Sequence, residues 1–148
     1  MSIDLKNKLK EAKRNSELKT LIKKIILETN LQGKDINCCH ITYQEVVNKS
    51  HDKLKLRKNH FDIESEKVLF ESFLAKISGQ DFVTLMIKTD SNIFFLSLPY
   101  NSIKNNLDFF WYQNKLTNHT DEKIFINKDL SKGFVIFASE YGIETASW

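Results

Sequence analysis

The stretch INCCHITYQE, Ile36 to Glu45, sets two cysteines and a histidine side by side. A thiol activated by a neighbouring imidazole is a nucleophile, and thiols with imidazoles also ligate zinc. In an extended segment Cys38 and His40 point to one face, while Cys39 points to the other with Ile41 and Tyr43. Cys39 therefore reads as a small buried apolar residue. Cys38 and His40 are left as the one pair open to thiolate–imidazole chemistry, which makes a small Cys-dependent enzyme one alternative. Residues two apart on a strand leave little room for a substrate between nucleophile and base, so packing is the simpler reading. Zinc needs three or four ligands. No second Cys/His pair follows, and His51, His60 and His119 stand alone in polar stretches. Adjacent cysteines offer only a strained vicinal bridge. No catalytic residue, metal or cofactor is expected.

Other chemical signals are diffuse. The four glycines, Gly33, Gly79, Gly133 and Gly142, lie far apart, so no phosphate-cradling loop is present. Asp121 and Glu122 sit together in a polar loop, where a solvated turn is the default. Residues 1–60 hold 14 Lys+Arg against 7 Asp+Glu, whereas residues 61–148 hold 8 against 12. The basic segment would attract phosphates without sequence preference. That makes a nucleic-acid-binding regulator a second alternative. The lysines of the first helix lack interleaved aromatics, however, and a solvated helix face accounts for them. In LDFFWYQN (107–114), Phe110 and Trp111 belong to a core. Asp108 and Tyr112 lie four apart on a helix face turned roughly 100° from the Leu107–Trp111 stripe. Aromatics with polar tips beside carboxylates suit a protein interface. Asp121, Glu122, Asp129, Glu140 and Glu144 add acidic groups, with Tyr141 beside Glu140 at a turn.

These residues must be held by a fold. Eleven Phe against four Gly and one Pro describe a folded chain rather than a linker-rich one. The apolar spacing of Leu18, Leu21, Ile22, Ile25 and Ile26 predicts a long basic helix over 4–29, stopped by Gly33. A strand is expected at 36–43, and an exposed loop at 48–60. A helix follows at 63–77, capped by Asp62 and ended at Gly79. A hairpin pairs 82–88 with 93–98 across TDSN, with Val83, Leu85 and Ile87 on one face. A third helix spans 102–114. Strands follow at 123–127, 133–139 and 142–148. The order predicts one α+β domain over 1–148: an antiparallel sheet, mainly from 82–148, with the helices packed on one side. The first residues lack an apolar core typical of a secretory signal, and no apolar run approaches the roughly 20 residues of a membrane span. A cytoplasmic protein without membrane contact is expected.

A charged N-terminal helix, a strand, a helix, a hairpin, the aromatic helix SIKNNLDFFWYQN and the ending EKIFINKDLSKGFVIFASEYGIETASW follow one another. This order resembles the immunity proteins of bacterial polymorphic toxins, including contact-dependent growth inhibition systems. In several of those an apolar strand, a D-x-S-type turn, a second apolar strand and an acidic turn close the chain. Here the pieces are Ile124–Ile126, Asp129–Ser131, Phe134–Ala138 and Glu140. The resemblance implies a non-catalytic protein that binds the C-terminal domain of its cognate toxin and occludes the active site. It implies no small-molecule substrate and no nucleic acid. The contact set expected on this reading is Asp108, Tyr112, Asp129, Glu140, Tyr141 and Glu144.

Overall fold

The computed structural model describes residues 2–57, 62–139 and 142–148, and of residues 55–57 and 139 the backbone alone. Helix α1 runs Ile3–Thr29. Ser2 caps it by accepting from the Leu5 N–H at 3.2 Å, and Asn30 stops it in the left-handed region at φ 58°. The stop is thus Asn30, three residues before the expected Gly33, which instead opens a short 3₁₀ turn. Strand β1 is only Asn37–Cys38. Helix α2, Tyr43–Ser50, follows where the sequence suggested the end of a strand and a loop. A capping box starts it: Thr42 accepts from the Glu45 N–H at 3.2 Å, and Glu45 accepts from the Thr42 N–H at 2.7 Å. That reciprocal pair fixes the first turn, and it overrides the β-branched propensity of Ile41 and Thr42. Strand β2, Lys55–Arg57, lies inside the segment read as a loop, and residues 58–60 of that segment lie outside the described residues.

Helix α3, Ile63–Lys76, starts on Asp62 as expected, with the Asp62 carboxylate accepting from the Glu64 N–H at 3.1 Å. Strands β3 (Phe82–Lys88) and β4 (Ile93–Pro99) form the predicted hairpin, Ile87 facing Phe94. The expected third helix is two short ones, α4 (Tyr100–Asn105) and α5 (Leu107–Tyr112), broken at Asn106 where φ is −127°. Strands β5 (Lys123–Ile126), β6 (Gly133–Ser139) and β7 (Gly142–Ser147) complete the chain.

Among the described residues seven strands form one sheet in the order β1-β4-β3-β5-β6-β7-β2, every pairing antiparallel. The fold is α+β. Its five central strands come from 82–147, and the N-terminal part supplies both edges. On one face Leu21 and Ile25 of α1, Phe70 and Phe73 of α3, and Phe110 and Trp111 of α5 cover Leu85, Ile87, Phe94, Phe125 and Phe134. Phe70 is central: its ring centroid lies 5.1 Å from that of Trp111 and 4.1 Å from that of Phe125. On the other face Val46 of α2, with Tyr43 and Val47, covers Met86, Phe95, Ile124, Ile126, Val135 and Phe137. The helices therefore do not all pack on one side, as the sequence suggested. The sheet is apolar on both faces, and α2 is the roof of the second. Among the described residues no helix is long and apolar enough to cross a membrane.

Candidate functional site

The roof is short. Helix α2 spans eight residues, and it leaves the outer ends of β3 and β4 uncovered. There an open groove of about 670 Å³ lies on the sheet. Its floor is Phe82 and Thr84 of β3, with Ser97 of β4 paired to Thr84. Asn37, Cys39, His40 and Ile41, the link from β1 to α2, form one wall, and Lys128 of the β5–β6 turn lies across from them. Gln80 and Asp81 close the end. Phe82 is 46% exposed, on a strand hydrogen-bonded along its length to β4. The groove thus joins the apolar side chains of Phe82 and Ile41 to hydroxyls on its floor and charged groups of both signs, an arrangement suited to binding.

The wall is fixed by named contacts. The Cys39 N–H donates to the Phe95 carbonyl at 2.7 Å, and the Cys39 thiol lies 3.8 Å from the Thr84 hydroxyl. Tyr43, the first residue of α2, donates its hydroxyl to Glu122 at 2.9 Å, and Lys88 donates to the same carboxylate at 3.0 Å. Burial, with Glu122 adding to it, pushes the Tyr43 phenol well above its ordinary range, so Tyr43 remains the donor. The ring of Tyr43 also meets Phe137 edge-on, centroids 5.7 Å apart. These contacts hold the entry to α2 against β3, β5 and β6.

The cysteine stretch resolves differently from its strand reading. Extended pairing ends at Cys38, so alternation does not carry through to His40. Among the described residues no hydrogen bond joins Cys38 to His40. Cys38 is exposed, and burial of its sulfur pushes its pKa up while Arg14 pulls the other way. It is a protonated thiol at neutral pH. Cys39 is half-buried, packs against the α2-side core as expected, and also lines the groove with His40. No group of three or more His, Cys, Asp or Glu among the described residues is placed to hold a metal ion.

The expected contact residues divide between the two faces. Asp108 and Tyr112 come together on the side of α3 and α5. Asp108 accepts from Lys67 at 2.5 Å, Tyr112 donates to Glu64, and the Lys67 ammonium stands 5.2 Å from the Tyr112 ring centroid. Asp129 lies in the β5–β6 turn next to Lys128 of the groove. Its carboxylate, held below its ordinary pKa by the Ser131 hydroxyl and N–H, accepts from that N–H at 3.0 Å. Glu144 faces Phe137 across β6 and β7 and shares the strand face of Ala146, which places it on the α2 side. Glu140 and Tyr141 lie outside the described residues.

Sequence reasoning missed three features. Phe82 and Lys128, both at the groove, carried no spacing signal. His119, read as isolated, pairs with Asp90, 29 residues away, beside a polar cavity of about 320 Å³ that Glu17 and Lys24 of α1 also line. Lys123 is fully buried on the face of β5 that α3 and α5 cover, its ammonium 5.1 Å from the Trp111 ring centroid and without a hydrogen-bond partner among the described residues. Burial pulls its pKa down to about 8. The chain matches no known family, and no curated protein or solved structure is similar to it.

Proposed function

We propose that this chain is a non-catalytic immunity protein that binds the C-terminal domain of a cognate bacterial toxin in the cytoplasm and covers its active site. The observation that carries the reading is the preformed groove. An exposed aromatic, Phe82, stands on a strand that cannot yield, with Ile41 beside it and His40, Asp81 and Lys128 around the rim. Rigid aromatic anchors of this kind carry most of the energy of an interface, and rim charges set the rate of encounter. Asp129 follows Lys128 of the groove in the β5–β6 turn, and Glu144 lies on the α2 side of the sheet on β7, three strands from β3. Asp108 and Tyr112 lie on the opposite face, their polar tips engaged by Lys67 and Glu64, so the proposed contact set narrows to the groove side.

The test uses the toxin domain encoded next to this chain's gene. Co-expression should restore growth, and the two proteins should purify as one complex. Phe82→Ala should weaken the complex at least about tenfold while leaving the melting temperature nearly unchanged, because the ring is half in solvent. Asp108→Ala should alter neither. If no complex forms, or if Asp108→Ala weakens it and Phe82→Ala does not, the groove is not the toxin site.

A further inference from the structure

Helix α1 has a second face that nothing among the described residues covers. Each residue turns a helix by about 100°. Leu18, Leu21, Ile22 and Ile25 therefore point to the sheet, and Leu5, Leu9, Ala12, Ser16 and Leu27 fall on the opposite side. Leu5 is 47% exposed, Leu9 44% and Leu27 84%. The body grips α1 only from Arg14 onward, where the guanidinium donates to the Ile93 carbonyl at 3.3 Å and lies 4.4 Å from the Phe94 ring centroid. Residues 2–13 are exposed throughout.

Lysines bracket this outer stripe. Lys8 and Lys19 fall along one side, Lys6, Lys13 and Lys24 along the other, and Lys23 within it. All six are exposed, and none has an ion-pair partner among the described residues. The acidic groups of α1 are placed elsewhere: Asp4 and Glu11 fall on the sheet-facing side, Glu17 accepts from Asn92, and Glu28 pairs with Lys115.

We infer that the outer face of α1 is a docking surface for an acidic amphipathic helix of a partner protein. The short apolar seam of Leu5, Leu9 and Ala12, flanked by Lys6, Lys8 and Lys13, is half of a helix pair whose other half has leucines in the seam and carboxylates beside it. A second copy of this chain does not fit, because lysine flanks would then meet lysine flanks. A phosphate backbone makes no use of Leu5 and Leu9. A membrane surface needs a continuous apolar face, and Ser16, Thr20 and Lys23 interrupt this one. The surface is separate from the groove and does not rest on the toxin-blocking reading.

The test measures affinity of the full chain for four probes. They are a synthetic helical peptide with a leucine seam and glutamate flanks, the same peptide with lysine flanks, a DNA duplex, and vesicles of neutral and anionic lipid. The glutamate peptide should bind at least about tenfold tighter than the lysine peptide, and Leu5→Ser with Leu9→Ser should lower that affinity about tenfold. Lys6→Gln, Lys8→Gln and Lys13→Gln together should flatten its salt dependence. Phe82→Ala should leave it unchanged. These side chains are exposed, and an unaltered thermal melt verifies that the variants fold. Equal binding of the two peptides, no effect of the leucine changes, tighter binding to duplex or vesicles, or self-association through Leu5 and Leu9 would each overturn the inference.

Discussion

Lys123 places an ammonium among aromatic rings. Its pKa is drawn from the ordinary lysine value of 10.5 to about 8 because the charged form has lost its water, a loss that the Trp111 face and Asp121 offset only in part. The native state thus releases this proton at lower pH than the unfolded chain. The penalty is complete below pH 8, where both states hold the proton and the native one must bury it. It is relieved as pH rises from about 8 to 10.5, so this group makes stability climb with pH across that window. A shift of this size corresponds to roughly 3 kcal/mol. Lys123→Met should raise stability at pH 7 by about 1–3 kcal/mol and remove the climb, measured by urea unfolding from pH 7 to 10. Gly133 is a second residue whose role is set by a neighbour. A Cβ there would overlap the Trp148 ring, which lies against the backbone where Gly133 and Trp148 exchange hydrogen bonds of 3.1 and 3.0 Å. Gly133→Ala should cost about 1–3 kcal/mol by calorimetry, and Trp148→Ala should make that change tolerable.

At the scale of elements, helix α2 exists because of its first turn. With eight residues it is too short to persist on propensity alone, so its cap and the contacts of Val46 and Tyr43 sustain it. Thr42→Ala should cost about 1 kcal/mol in urea unfolding. It should also open the groove wall, so that alkylation of Cys39 is faster than in the parent chain. The capping box was legible as Thr42-x-x-Glu45, but the β-branched residues around it read as strand. By contrast Asp62 announced α3, and the runs 82–88, 93–98 and 133–139 were visible within a residue of their ends. The break at Asn106 had no local signal. The site was less legible still. Which strand ends α2 leaves bare depends on how far a roof reaches across a sheet, and no single segment encodes that. The stripe facing the sheet was readable in α1, and Leu5 and Leu9 lie on its far side once the helical angle is followed.

Across the whole molecule the sheet is stable at its centre and thin at its margins. Strands β3, β5 and β6 are buried on both faces, whereas β1 has two residues and β2 three. Amide hydrogen exchange should be slowest in β3, β5 and β6 and fastest in β1 and β2, and a partner seated in the groove, as proposed above, should slow exchange at Cys39 and Phe82. Equal protection at the edges and the centre would contradict this ranking. The uneven charge of the sequence also acquires a location: much of the positive excess of residues 1–60 is carried by the exposed lysines of α1.

Both edge strands precede in the chain the strands they pair with: β1 pairs with β4, and β2 with β7. During synthesis the segments around Asn37–Cys38 and Lys55–Arg57 emerge ahead of these partners and must wait, β2 until β7 is made. Translation order and assembly order are therefore opposed at the sheet margins. The interval is one of open β-edge, and Lys49, Lys53 and Lys55 put at that edge the kind of charge that opposes edge-to-edge pairing.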